Sequence, residues 1–250
     1  MTDTRVIALM FHRVNDPATG YEPHLFEQYL AYLTHHFPIV IPGDPLPKTK
    51  LAICLTFDDA YFDFYHTVFP LLQKYDLRAL LGVPVKYIVE KTELPAALRL
   101  SVPYAYNFED ATLQAKVPLC TWTELREMVQ SQQVVVASHG FRHANLEQKN
   151  INLQEEIRLS QKILQEKLNC RIHHFVYPFG KMNHSAHRLV CAHYRFAIRI
   201  GSALNHGWKH RQQFIYRINA DPLWKNIKLI DQKLIAKLNR KYWINRIRFK

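Results

Sequence analysis

Two short runs of apolar residues, each ending abruptly in polar side chains, constrain the fold of this chain most strongly. Residues 51–57 read LAICLTF and lead into Asp58 and Asp59, whereas residues 134–137 read VVVA and lead towards His139. Continuous apolar runs of this length are typical of strands buried on both faces, as in parallel sheets. Because parallel strands gather their carboxyl ends at one edge, these polar groups are expected to lie together in an α/β fold.

The rest of the chain alternates between strand-like and helix-like patterns. Apolar runs predict strands over residues 7–12, 51–57, 78–85, 134–137, 174–177, 195–200 and 214–218, and helical spacing predicts helices over 24–33, 64–75, 121–131, 152–168 and 184–193. With 250 residues and 48% hydrophobic composition, the chain can bury one large core. We therefore expect a single-domain, distorted (β/α) barrel with fewer than eight complete units over residues 1–223. Residues 86–118 lack a clean period and are expected to cover the mouth of the site.

Two histidines and two adjacent carboxylates form a pattern typical of a metal site. His139 and His143 are four residues apart, so both imidazoles can bind one ion, and one carboxylate would complete a three-ligand set. Neighbouring side chains of a strand point to opposite faces, so Asp58 and Asp59 should differ in role, one binding metal and one facing water. Either pair alone also fits a turn, a helix cap or chance spacing. Their combination after two apolar runs predicts a metal-dependent hydrolase.

The same residues resemble the motifs of a known family, the polysaccharide deacetylases of the chitooligosaccharide deacetylase type. Residues 56–59 (TFDD) resemble the first family motif and residues 138–146 (SHGFRHANL) the second. Residues 177–180 (YPFG) resemble the third motif. The similarity extends from about residue 6 to about residue 217, so it covers most of the chain.

This resemblance implies an activity and a role for each motif residue. The implied reaction is metal-dependent removal of the acetyl group from N-acetylated amino sugars. The resemblance assigns Asp58 as the general base, and Asp59, His139 and His143 as ligands of one divalent metal ion, with zinc the expected metal. It further implies that the backbone N–H at Tyr177 donates to the oxyanion.

The general acid of the family has no clear counterpart in the carboxyl-terminal part of the chain. The expected strand with a Leu-x-His pattern is absent after residue 180, whereas residues 7–12 form an apolar run that ends in His12. This order is similar to that of a circularly permuted branch of the family, in which the strand comes first. The resemblance implies His12 as the general acid, with His206 as the alternative. A histidine that only caps a buried strand is the non-functional interpretation of His12.

Three other residues are candidates for substrate binding. Arg142 lies between the two metal-site histidines in the sequence and is a candidate to face the substrate. Trp208 is a candidate to stack on a sugar ring, although a single tryptophan is more often part of a core. Arg217 is a candidate to bind an acidic sugar, to orient Asp58 through a charge-assisted pair, or simply to lie at the barrel rim.

The last 27 residues differ from the rest of the chain in charge. Residues 224–250 contain nine Lys or Arg and one acid, so 9 − 1 = 8 of the formal net charge of +12 lies here. Apolar residues recur at helical spacing, which predicts a basic amphipathic helix that contacts an anionic membrane surface. A helix packed on the barrel with a solvated basic face is the alternative. Nucleic acid is not expected as a partner, because no recognition module accompanies the basic residues.

The cysteines and the amino-terminal residues bear on the cellular compartment. Cys54, Cys120, Cys170 and Cys191 are far apart and predict reduced thiols rather than a disulfide framework. The first apolar stretch is too short for a signal peptide, and no run approaches the roughly eighteen apolar residues of a transmembrane helix. We therefore expect a cytoplasmic protein, with peripheral contact at the inner membrane face, that acts on an N-acetylated glycan or lipid-linked precursor.

Two other functions fit the same residues. The first is deacylation of another amide or ester, such as a small cyclic imide, at the same site. The second is binding of carbohydrate or membrane by a catalytically silent relative. The intact Asp-Asp and His-x3-His motifs disfavour silence, whereas the lack of a clear carboxyl-terminal acid favours it.

Overall fold

The backbone forms a closed barrel of parallel strands. The computed structural model describes residues 5–16, 23–48, 50–104, 108–208, 214–224 and 228–248. Neighbouring strands pair in chain order, and the first pairs with the last to close the ring. The strands are β1 (Val6–Phe11), β2 (Ala52–Phe57), β3 (Ala79–Val83), β4 (Val134–Ser138), β5 (His174–Val176), β6 (Phe196–Ile200) and β7 (Phe214–Asn219). This confirms the predicted barrel with fewer than eight units.

Helices surround the barrel and connect its strands. They are α1 (Pro23–His36), α2 (Phe69–Lys74), α3 (Ala96–Leu100), α4 (Ala111–Ala115), α5 (Trp122–Gln130), α6 (Ser160–Leu168), α7 (His184–His193), α8 (Asp221–Trp224) and α9 (Gln232–Arg248). One-turn π-helical segments, Phe64–Val68 and Gln154–Leu159, lead directly into α2 and α6. Among the described residues, no helix combines the length and the apolar character needed to cross a bilayer.

Apolar side chains fill the barrel interior because alternate residues of each strand point inward. One buried cluster takes at least one residue from every strand, including Ala8, Cys54, Leu80, Ala137 and Ile198. Strands β1 to β3 carry almost only apolar side chains on both faces, so both the interior and the helix-facing layer are largely apolar there. Polar groups are therefore concentrated at the strand ends, where the chain leaves the sheet.

The segment predicted to cover the site mouth folds over the carboxyl ends of the strands. Buried Arg99 anchors it by donating to the carbonyl oxygens of Val117 and Leu119 and to the carboxylate of Glu124. The Tyr104 hydroxyl reaches the strand-end carboxylates, as described below. The irregular sequence pattern thus reflects a segment held by polar contacts and short helices.

The chain reverses direction between β6 and β7, and α9 packs on the reversed segment. Asn205 forms an antiparallel bridge with Val6, at the amino end of β1. The Leu204 N–H donates to the carbonyl of Leu238 in α9. Ile235, Leu238 and Tyr242 are buried in the main core, so one face of α9 belongs to the barrel. The alternative interpretation of a helix packed on the barrel is thus correct for that face.

Candidate metal centre and active site

The structure brings together the three residues expected to bind metal. One ligand atom from each of Asp59, His139 and His143 lies within 4.8 Å of the others, and all three residues are buried. Oδ1 of Asp59 lies 3.3 Å from Nε2 of His143 and 3.5 Å from Nε2 of His139. Two imidazole nitrogens therefore converge on a single carboxylate oxygen. Three N/O ligands converging in this way suit a divalent ion with an open coordination position.

The adjacent aspartates take different directions because the sheet pairing of β2 ends between them. Asp58 continues the sheet pairing, since its N–H donates to the carbonyl of Phe11 at 2.9 Å. Asp59 and Ala60 then adopt positive φ angles of 72° and 52°. This left-handed turn, rather than strand alternation, rotates the second carboxylate toward the histidines.

The histidines are held as neutral imidazoles, which is the ligand form. Burial lowers the pKa of His139 and of His143 to about 4. Nδ1 of His139 lies 2.8 Å from the carbonyl oxygen of Val176, which accepts the proton and leaves the Nε2 lone pair facing Asp59. His143 reaches the cluster from a backbone position with a φ of 58°.

Asp59 provides a test of whether a cation fits this site. Burial raises the pKa of its carboxyl group, and Oδ1 has no hydrogen-bond partner among the described residues. Its Oδ2 accepts from the Tyr104 hydroxyl at 2.9 Å. A buried oxygen without a partner is costly, and a divalent cation between it and the two imidazoles would satisfy it. The donor set therefore fits a metal ion.

Asp58 is paired with a fully buried arginine. Arg217 donates from Nη1 to Oδ1 at 2.6 Å and from Nη2 to Oδ2 at 2.7 Å, while Nη1 also reaches the Thr56 hydroxyl. Burial alone would raise the pKa of Asp58, but the guanidinium outweighs this effect and holds that pKa well below its usual range. Arg217 thus orients the proposed base, as one sequence interpretation held. Its complete burial is inconsistent with the other prediction, that it binds substrate.

His12 lies at the same end of the barrel, beside the carboxylate pair. Its Nδ1 is 3.1 Å from Oδ2 of Asp221, and its ring centroid is 5.3 Å from that of Tyr104. Burial alone would lower the pKa of His12, but Asp221 and the charges of Asp58 and Asp59 together raise it above its ordinary value. A histidine with a carboxylate on one ring nitrogen is oriented and ready to donate a proton from the other.

Glu156 is a component of the site that the sequence patterns did not reveal. Its buried carboxylate accepts the backbone N–H groups of Phe141 and Arg142 at 3.0 Å and that of Ala144 at 3.5 Å. These N–H groups flank His143, so the carboxylate holds the loop that carries this ligand. Glu156 lies in the π-helical turn before α6, and a π-turn of this kind often occurs at functional sites.

The structure corrects the role predicted for Tyr177. Its backbone N–H donates to the carbonyl of Ile198 at 3.0 Å, as part of the pairing between β5 and β6. A group used in the sheet is not directed at an oxyanion. Phe179, two residues later, has a positive φ of 57° and a ring centroid 4.6 Å from that of His143. Phe179 is therefore the residue of this loop that borders the metal cluster.

Two other candidates lie away from the cluster. The Trp208 indole donates to the carbonyl of Asp44, and Asp44 pairs with Arg78 at the amino end of β3. His206 contacts Asn239 of α9. The reversed segment after β6 carries both residues away from the carboxyl ends of the strands. The predictions of Trp208 as a sugar platform and His206 as an alternative acid are therefore wrong.

Arg142 stays a candidate for substrate contact. Its side chain is about half exposed and its guanidinium lies 3.3 Å from the carboxylate of Glu155. The Tyr87 hydroxyl donates to its carbonyl oxygen. The backbone of Arg142 is fixed beside the metal cluster, whereas its guanidinium lies at the surface.

Sequence comparison identifies the family and one group of curated relatives. The family described as polysaccharide deacetylase matches residues 46–195. The chain is 29% identical over 170 residues to the poly-beta-1,6-N-acetyl-D-glucosamine N-deacetylase of Escherichia coli (strain K12). This match covers 56% of the chain and 23% of the relative, so the chain spans about a quarter of the length of that curated relative.

Solved structures share the fold at low sequence identity. IcaB from Ammonifex degensii superposes with a TM-score of 0.69 and 19% identity, covering 90% of this chain and 96% of that one. The Streptococcus pyogenes deacetylase PplD, solved in complex with acetate, superposes with a TM-score of 0.67 and 22% identity. The match covers 90% of this chain and 97% of that one. BC0361, a polysaccharide deacetylase from Bacillus cereus, superposes with a TM-score of 0.68 and 20% identity. The match covers 86% of this chain and 64% of that one. The family match spans more than half of the chain and includes the Asp-Asp and His-x3-His motifs, and the chain therefore belongs to the polysaccharide deacetylase family.

Proposed function

We propose that this protein is a metal-dependent hydrolase that removes the N-acetyl group from an amino sugar in a glycan or glycolipid precursor. One observation carries the proposal: Asp59, His139 and His143 bring three buried ligand atoms together in an arrangement that could hold a cation, and the carboxylate of Asp58 adjoins it. His12 lies on the same face of the barrel with its own carboxylate partner. Base, metal ligands and acid are then all present, as amide hydrolysis requires.

The ligand set favours zinc as the resident ion. Two imidazoles and one carboxylate form a common three-ligand set for catalytic zinc, with the remaining position open. When bound, the ion would polarise the amide carbonyl and make water more acidic. Asp59, His139 and His143 would bind the ion through their side chains.

Asp58 is the proposed general base, and Arg217 positions it. An ionised Asp58 accepts a proton from the attacking water, and the bidentate pair keeps both of its oxygens in a fixed plane. The pair also keeps Asp58 ionised, because it holds the pKa below the usual range. Asp58 therefore starts in the form that a base requires.

His12 is the proposed general acid, as the circularly permuted arrangement implies. Its raised pKa favours the protonated ring, and Asp221 fixes the ring through Nδ1. Proton transfer from Nε2 to the departing nitrogen would let the amine leave as a neutral group. Base and acid would thus act from opposite sides of one scissile bond.

The proposed substrate follows from the family and the curated relative. That relative is a deacetylase of poly-β-1,6-N-acetyl-D-glucosamine, so oligomers with this linkage are the first substrates to test. Lipid-linked N-acetylated sugars are the second class, and an exposed Arg142 is available for their anionic groups. We also propose a reducing compartment such as the cytoplasm, a proposal supported by four free cysteines.

Acetate release is the experiment that tests this function. The purified, zinc-loaded protein is incubated with β-1,6-linked N-acetylglucosamine oligomers and with lipid-linked N-acetylated sugars, and the released acetate and free amine are measured. We expect the two products in equal amounts. Asp58→Asn should retain one bound ion but lose about 10²–10⁴-fold in turnover, since an amide does not accept the proton. His143→Ala should lose the ion.

Two results would contradict the proposal. The first is metal-loaded protein that releases no acetate from any of these substrates, which would indicate a silent relative. The second is an Asp58→Asn variant with the turnover of the parent, which would show that another group serves as base.

A further inference from the structure

One face of α9 is exposed and carries Lys and Arg side chains that pair with no acidic side chain among the described residues. The buried stripe of this helix consists of Ile235, Leu238, Tyr242 and Asn245, which are three or four residues apart and face the barrel. A second stripe with the same spacing lies on the opposite side of the helix. Its members, which we call the outer stripe, are Lys233, Lys237, Arg240, Ile244 and Ile247.

The outer stripe is divided into a cationic half and an apolar half. Lys233, Lys237 and Arg240 are exposed in the amino-terminal half of α9. In the other half, Ile247 is 74% exposed and Ile244 38%, and Trp243 beside them is 51% exposed. Large apolar residues are rarely this exposed in a group without a partner surface.

The charge on α9 is unusual for this protein. The sequence of the helix contains six Lys or Arg and no acid. Several surface cations elsewhere in the described chain have acidic partners: Lys74 with Glu27, Lys162 with Glu166, and Lys167 with Glu90. Among the described residues, no acidic side chain is paired with a cation of the outer stripe. The described part of the chain therefore supplies no negative charge to the outer stripe.

We propose that the outer stripe of α9 docks on the anionic surface of a lipid bilayer. An interfacial helix needs an apolar strip that enters the headgroup region, a tryptophan at the boundary, and cations for anionic lipids. Ile244 and Ile247 supply the first, Trp243 the second, and the three cations the third. The buried stripe keeps α9 fixed to the barrel, so docking would hold the whole domain at the surface.

A second copy of the chain is a poorer occupant of this stripe. Two outer stripes face to face would bring unpaired cations together, and like charges repel. The exposed isoleucines also have no role in binding a polyanion such as nucleic acid. Charge and apolar surface together therefore favour the bilayer.

Vesicle binding by the full chain tests the proposal. Binding is measured by co-sedimentation with vesicles of phosphatidylcholine containing phosphatidylserine, and with phosphatidylcholine alone, at low and high salt. We expect binding only to the anionic vesicles, with release as salt shortens the reach of the cations. Each cation near the surface contributes about fivefold, so Lys233→Gln, Lys237→Gln and Arg240→Gln combined should weaken binding on the order of 100-fold.

A matched variant controls for net charge. Lys74→Gln, Lys162→Gln and Lys167→Gln combined remove the same number of charges from positions with acidic partners. This variant should bind anionic vesicles like the parent. Circular dichroism and thermal unfolding should show both triple variants folded, since all six residues lie on the surface.

Tryptophan fluorescence gives a second, independent measurement. Trp122 and Trp224 are buried and Trp208 is half-buried, so Trp243 is the most exposed of the four. Its emission should shift to shorter wavelength on anionic vesicles, and Trp243→Phe should remove the shift. Ile244→Ser with Ile247→Ser should reduce both binding and shift.

Several outcomes would overturn the proposal. The first is equal binding to neutral and anionic vesicles, and the second is an equal loss of vesicle binding in the two triple variants. The third is a tryptophan emission that does not shift when the protein binds anionic vesicles. A dimer that forms without lipid and depends on the outer stripe would instead assign this face to a second copy.

Discussion

Replacing Glu156 by glutamine tests whether the metal site depends on a residue that binds no metal. The substitution keeps the shape of the side chain but removes its charge and one acceptor oxygen. In the native site the Arg142 N–H donates to Oε1 at 3.0 Å and more weakly to Oε2 at 3.2 Å, and Oε2 also accepts from Phe141 and Ala144. Gly140 packs so closely on the same carboxylate that a Cβ there would lie 2.6 Å from Oε2. The glutamine therefore has little freedom to find other partners.

The expected loss follows from these contacts. If the glutamine oxygen replaces Oε2, its NH₂ group faces the N–H of Arg142, and two donors oppose each other. Losing one bond to a charged acceptor and weakening the others should destabilise the loop by about 2–4 kcal/mol. Substitution of a residue that orients a metal ligand typically lowers metal affinity by about 10–100-fold. We expect a loss in this range, because the loop carries one ligand, His143, of the three.

Two measurements separate a positioning role from a general structural one. Zinc affinity is measured by competition with a chromogenic chelator, and stability of the metal-free protein by urea unfolding. The neighbouring Glu155→Gln is the matched control. The Glu155 carboxylate pairs with the exposed Arg142 guanidinium, so this substitution should leave zinc affinity unchanged. The reasoning is refuted if Glu156→Gln binds zinc as tightly as the parent, whatever happens to its stability.

Three further predictions concern the partners of the base, the acid and α9. Asp221→Asn removes the hydrogen bond that raises the pKa of His12; since an acid works only below its pKa, the alkaline limb of the kcat profile should move to lower pH. Arg217→Met leaves Asp58 buried and unpaired, so urea unfolding at neutral pH should show a loss of about 3–5 kcal/mol. Leu238→Ala on the buried stripe of α9 should cost about 2–5 kcal/mol in the same assay, with vesicle binding retained by the folded fraction.

The barrel and the metal cluster were predictable because their signals are local. An apolar run identifies a buried strand, and the residue that follows it must lie at the carboxyl edge. This is why His139 and His143 could be grouped with one of the two aspartates, and the family resemblance then assigned Asp59 as that ligand. The prediction of His12 combined the same rule, applied to the first apolar run, with the resemblance to the permuted branch. Asp59 follows β2, both metal-site histidines follow β4, and His12 follows β1, so no long-range contact had to be known.

The errors arose where long-range pairing decides the outcome. Whether the Tyr177 amide faces the site depends on Ile198, a partner on the neighbouring strand. Trp208 follows a strand end in the sequence, but the chain reverses through Asn205 and returns to the opposite end of the barrel. Neither contact has a local signature. The role of Glu156 also required knowledge of which residues lie above its π-turn, since sequence periodicity shows only that its helix is amphipathic.

The closure of the barrel by β7 gives this strand a part in both halves of the proposed reaction. Arg217 lies within β7 and reaches Asp58 beyond β2, across the intervening strand β1. Asp221 follows the end of β7 and contacts His12, which follows the end of β1. β7 and the residues directly after it therefore supply the partner of the base and the partner of the acid, whereas the metal ligands follow β2 and β4. From this division we expect variants at Arg217 and Asp221 to lower turnover while the metal content of the folded protein stays close to one ion.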